Sequence, residues 1–132
     1  MSDHVKVLRE RFGAPDEFLV WIQDEDRSAT TGTSYIRFHG WELARDVQPH
    51  GITETVVVAY AGTDGRFITR IEVQQASRPR NDAMWAEIHD TWFDAKEWLR
   101  RYCAHAEQSG FGRADAATTV IASVETMLPG IV

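Results

Sequence analysis

The segment "ETVVVAYAGTDGRFITRIEVQQ", residues 54–75, constrains this chain more than any other. Two runs of β-branched and aromatic residues flank Asp64-Gly65, a dipeptide that favours the backbone of a tight hairpin turn. An antiparallel strand pair is therefore expected at the centre of the chain. On its second strand Phe67, Thr69, Ile71 and Val73 share one face, and Arg66, Ile68, Arg70 and Glu72 share the other. The alternation predicts one core face and one face mostly turned to water.

Further strands are expected upstream. "EFLVWIQ", from Glu17 to Gln23, is apolar on both faces and reads as an inner strand. Tyr35 to Phe38 begins another. "FHGW" reads as a tight turn in which Gly40 adopts a positive φ. Trp41, Leu43, Arg45 and Val47 then alternate with Glu42, Ala44 and Asp46, as in a half-buried strand. "QPHGIT" breaks that strand at Pro49 and Gly51. Ahead of the strands, Ser2 or Asp3 can cap a short helix with Val5, Leu8 and Phe12 on one face. Gly13 supplies its C-terminal cap and Pro15 prevents its continuation.

The C-terminal part reads as helical. A long helix is expected from about Asp82 to Glu107. It places Met84, Trp85, Ile88, Trp92, Ala95, Trp98, Leu99, Tyr102, Cys103 and Ala106 in one sector. Glu87, Asp90, Asp94, Glu97, Arg101 and His105 lie opposite. The three tryptophans read as a core wall, since Trp buries a large area. Phe93 points away from that wall and marks a second contact surface or a lone exposed aromatic. "QSGFG" separates a last helix, about Ala114 to Leu128, with an apolar stripe of Ala117, Val120, Ile121, Val124, Met127 and Leu128. The expected fold is α+β in one domain, residues 1–132: an antiparallel meander sheet of about five strands, preceded by a short helix and covered by two C-terminal helices.

Composition narrows the functional classes. The chain carries 20 acidic and 14 basic residues, a formal net charge of −6. A surface that binds nucleic acid or an anionic membrane wants the opposite excess, so direct nucleic-acid binding is not expected. A third reading, a DNA mimic, would need carboxylates dense on one face, and the acidic excess is modest for it. With 43% apolar residues the chain lacks the signature of disorder. One cysteine excludes an internal disulfide and fits a reducing compartment. No apolar run approaches the ~18 residues of a membrane span. "MSDHVKVLRERFG" lacks the apolar centre of a signal peptide, and a cytoplasmic location is expected.

Catalytic patterns are weak. His89-Asp90 on one helix would point about 100° apart and could not hold a metal without ligands from other helices. Asp90 and Asp94 read as a solvated acidic stripe, with Glu97–Arg101 as an ion pair. Cys103 and His105 do not face each other, and Cys103 reads as a small buried residue. Asp24, Glu25 and Asp26, in the polar loop "DEDRSATTGTS", lack the spacing of a calcium loop. "SRPRND" adds Arg78 and Arg80 in a linker. No cofactor or metal is expected. A basic-aromatic surface is expected if the strand face of Tyr35, Arg37 and His39 coincides with that of Arg66 and Arg70.

The leading functional reading is a small acidic protein-interaction module of the inhibitor, immunity, adaptor or chaperone type, with another protein as partner and a homodimer as one form of association. Its candidate interface residues are Phe93, Ile68, Arg66, Arg70 and Arg37. The alternative is a small-ligand or enzymatic domain with an aromatic pocket between sheet and helix. Tyr35, His39, Trp41, Tyr60 and Trp92 would line that pocket, joined by Trp21, with His39 or Asp90 as acid or base.

Overall fold

The computed structural model describes residues 3–23, 33–75, 81–108 and 115–129. Asp24, Glu25, Asp26, Arg78 and Arg80 lie outside the described residues, as do the side chains of Trp21 and His105. Helix α1, Asp3–Phe12, leads into strands β1 (Asp16–Gln23), β2 (Thr33–His50), β3 (Thr53–Gly62), β4 (Phe67–Gln75) and β5 (Asn81–His89). Helices α2, Trp92–Gln108, and α3, Asp115–Met127, follow. The strands form one antiparallel meander in the order β1-β2-β3-β4-β5. The fold is α+β, as the sequence predicts.

The central hairpin forms where Asp64-Gly65 places it. Gly65 takes a φ of 89°, and Asp64 Oδ1 accepts a hydrogen bond from the Arg66 backbone N–H at 3.1 Å. Gly13, at a φ of 82°, closes α1 by donating its N–H to the Arg9 carbonyl at 2.9 Å. Trp41 Nε1 donates to the Gly13 carbonyl at 3.1 Å and ties the helix end to the sheet.

β1 is the terminal strand of the meander rather than an inner one, with Leu19 exposed on its outward face. Two further expectations of local structure are corrected. "FHGW" is not a turn, because β2 runs unbroken through Gly40, whose φ is not positive. Glycine is needed there for close approach instead. A Cβ on Gly40 would sit 1.9 Å from the Ala61 carbonyl oxygen. A glycine amid strand residues fits either a turn or such a contact, and sequence does not separate the two. The second correction is the long helix. Residues 81–89 form β5, and α2 begins only at Trp92. The periodicity of Met84, Trp85, Ile88 and Trp92 is coincidental. The start signal is Thr91, whose Oγ1 accepts the Asp94 backbone N–H at 3.1 Å, as an N-cap does.

Gly40 divides β2 into two working halves. Residues 33–40 pair with β1 and residues 40–50 pair with β3. The ribbon of β1 and the first half of β2 is thereby free to swing across the sheet, and β1 comes to lie against β5. Beyond the bend a bulge at Leu43 shifts the register between Glu42 and Ala44. It turns Leu43 into the core and puts Glu42 and Arg45 on one face, where they pair at 2.7 Å.

The sheet is therefore buried on both faces. On one, Trp41, Leu43, Val57, Ala59, Phe67 and Ile71 pack against Val5 and Leu8 of α1, Trp92, Trp98 and Leu99 of α2, and Val120 and Val124 of α3. On the other, Phe18 and Phe38 of the folded-over ribbon pack on Val56, Val58, Tyr60 and Ile68. The expectation that Ile68 faces water is corrected, since the ribbon covers it to 2% exposure. Arg70 and Glu72 lie on this same inner face. Arg70 donates from Nε and Nη2 to Glu72 Oε1, and from Nη1 to the Tyr60 hydroxyl at 3.3 Å. Burial alone would lower the Arg70 pKa, but the bonds to Glu72 and Tyr60 outweigh it and hold it above its ordinary value.

Three stability outcomes follow. Gly40→Ala collides with backbone that cannot step aside and should cost about 3 kcal/mol or more in urea unfolding. Gly13→Ala, whose Cβ would meet nothing within 4 Å, should cost only the left-handed backbone penalty of about 1–2 kcal/mol. Arg70→Ala strands the buried Glu72 carboxylate and should cost about 3 kcal/mol, most of it recovered when Glu72→Leu is added.

Candidate functional site

The surface that stands out is the corner where β5 hands over to α2. Glu87, Ile88 and His89 end the strand, Asp90 turns the chain, and Phe93, Asp94, Glu97, Trp98 and Arg101 follow on the helix. Together they line an open groove of about 570 Å³. The period of the helix sets Asp94, Glu97 and Arg101 along one wall. The period of the strand turns His89 toward the helices and Ile88 the opposite way.

The floor is rigid. Trp98 is buried and meets the His89 ring edge-on, with centroids 5.7 Å apart. Trp98 also stacks on Tyr102 at 4.6 Å, and Tyr102 leans on Trp85 at 6.1 Å. Trp92 and Trp98 are thus core residues and Trp85 packs half-buried against them, so the tryptophan wall is present. It is assembled from a strand and a helix rather than from one helix.

His89 is the one titratable group sunk into this floor. Its Nε2 lies 2.8 Å from the buried Thr69 hydroxyl, and its Nδ1 lies 3.9 Å from Glu87. Burial lowers its pKa below the ordinary histidine value, against the opposing pull of the Glu87 and Asp94 carboxylates.

The rim is apolar and acidic together. Phe93 is 60% exposed and Ile88 43% exposed. Lys96 leans over the Phe93 ring at 5.9 Å while its ammonium approaches Glu125 at 3.7 Å. Four carboxylates, Glu87, Asp90, Asp94 and Glu97, face one guanidinium, Arg101. Asp90 is met by Arg66 at 3.5 Å, and Glu97 by Arg100 at 3.0 Å, so the ion pair expected with Arg101 is formed one residue earlier. Among the described residues, neither Glu87 nor Asp94 has an arginine or lysine partner within 4.0 Å.

The sequence-derived candidates scatter. Of the interface set, Phe93 is on the groove and Arg66 beside it. Ile68 is buried, Arg70 is bound to Glu72, and Arg37 lies on the outward face of the ribbon. There Arg37 and His39 both approach Glu17, at 3.6 and 3.5 Å, and Arg37 reaches over Tyr35 at 6.0 Å. The expected union of this face with that of Arg70 does not occur, because Phe38, between Arg37 and His39, is the residue that turns inward toward Tyr60. The pocket set is divided likewise. Trp41 and Trp92 sit in the helix-side core, Tyr60 in the inner core, and Tyr35 and His39 at the surface.

Sequence reasoning missed Ile88, assigned to the core sector, and the role of His89 as a strand terminus. The Thr91 cap is the signal that places both outside the helix. Among the described residues no group of His, Cys, Asp or Glu side chains converges as a metal site. No helix among them is long and apolar enough to cross a membrane. No protein-family model matches the sequence, and no curated protein or solved structure matches the chain.

The buried histidine sets a pH dependence. Well above its ordinary pKa of 6.5, His89 is neutral in the folded and unfolded chain and contributes no slope. As pH falls through that value the unfolded chain takes up a proton that the folded one resists, so stability drops. The stability of wild type minus that of His89→Gln, by urea unfolding, should therefore decrease from pH 7.5 toward pH 5.

Proposed function

We propose that this chain is a protein-interaction module that docks a partner protein on the corner formed by β5 and α2. The observation that carries the reading is Phe93, a large aromatic left 60% exposed on the wall of the groove, with Ile88 exposed on the other face of β5 at the same strand end. The central strands β3 and β4 are covered on both faces, by helices on one and by the ribbon on the other. Lys96 leans over the exposed Phe93 ring at 5.9 Å. Aromatic anchors beside a rigid floor are the residues that dominate binding energy at protein interfaces. Association of two copies through the same corner is one form this docking takes. The buried Cys103 fits a reducing compartment, in keeping with action in the cytoplasm.

A photoreactive phenylalanine analogue at position 93 tests the reading in native cells, with the same analogue at the exposed position 35 as the control. Crosslinks from position 93 to a defined protein, absent from position 35, are expected. Crosslinks from position 35 alone would contradict it. Phe93→Ala should leave the urea midpoint almost unchanged, within about 0.5 kcal/mol, because the ring is largely in water already.

A further inference from the structure

Resting on that docking reading, we infer that the segment received at the β5–α2 corner is cationic: an apolar anchor flanked by lysine or arginine. The apolar contact alone would accept many partners, and the charges around it discriminate. Asp94 and Glu87 stand on opposite walls of the groove, one on the helix and one on the strand, with Ile88 and Phe93 beside them. Neither carries an arginine or lysine partner among the described residues. Asp90 and Glu97 do have partners, Arg66 and Arg100, at 3.5 and 3.0 Å. Both of those pairs are solvent-exposed, and exposed pairs exchange partners at little cost. Of the residues lining the groove Arg101 alone is cationic, and Arg66, Arg100 and Lys96 around it are already drawn to Asp90, Glu97 and Glu125.

His89 strengthens the argument by staying neutral. Thr69 and Trp98 hold it in the floor, and burial keeps the proton off, so no positive charge on the floor offsets the acidic rim. The Phe93 ring adds a cation-attracting face, already visited by Lys96 at 5.9 Å. The chemistry fits a basic segment with a leucine or aromatic anchor, received as complementary charge around an apolar contact.

The test uses two labelled peptides that share a Leu-Phe anchor, one flanked by lysines and the other by glutamates, with fluorescence anisotropy as the readout. The lysine peptide should bind about tenfold more tightly at low salt, as two solvent-screened contacts of about 4 Å allow. Raising the salt should erase most of that difference. Glu87→Lys with Asp94→Lys should reverse the preference, and Phe93→Ala should weaken both peptides. Circular dichroism checks that each variant folds, and the salt series on wild type stands without them. Equal binding of both peptides, lost in Phe93→Ala, would overturn the cationic partner and leave the docking site intact. Binding indifferent to Phe93 would overturn the docking site itself, and binding of neither peptide would overturn both.

Discussion

The contact of Gly40 with the Ala61 carbonyl governs the architecture. Only a residue without a Cβ lets β2 pass that close to β3 and trade one pairing partner for another at the same point. From this follows the swing of the β1–β2 ribbon, the approach of β1 to β5, and the second core around Tyr60. Without that fold-over, the face of β4 carrying Ile68, Arg70 and Glu72 would be open to water, as its alternating sequence suggests. With it, a charged pair sits at the edge of an apolar cluster and must be bound internally, which Arg70, Glu72 and Tyr60 achieve among themselves.

The double burial also shapes where function can reside. A meander with one free face would offer a broad, flat binding surface. Here the helices take one face and the ribbon takes the other, so exposed apolar groups lie on the ribbon's outward face, as Leu19 and Tyr35 do, and at corners. The β5–α2 junction is such a corner. Its strand ends because His89 turns into the helix-side core, and its helix begins because Thr91 caps it. On either side of these two commitments, Ile88 and Phe93 are left exposed.

Local chemistry was legible in the residues wherever one physical signal dominated. Asp64-Gly65 announced the hairpin, Gly13 with Pro15 the end of α1, and the apolar stripe of Val120, Ile121 and Val124 the buried α3. Long-range geometry was not. Gly40 carries the same letter whether it turns the chain or admits a neighbouring carbonyl, and the neighbour lies about twenty positions away in sequence. Residues 81–89 alternate as a strand and also satisfy helical spacing, so tertiary pairing with β4 decided the outcome. Of the candidate site, Phe93 was legible because it broke the helical pattern. Ile88 was not, because the mistaken helix hid it in the core.

The most direct test of the docking corner is amide hydrogen exchange on this protein, free and bound to the partner that crosslinking at position 93 identifies. Exchange should slow on binding at residues 87–98, with the outward face of the ribbon around Tyr35 and His39 unchanged. Protection confined to that ribbon, with 87–98 exchanging as in the free protein, would contradict the account.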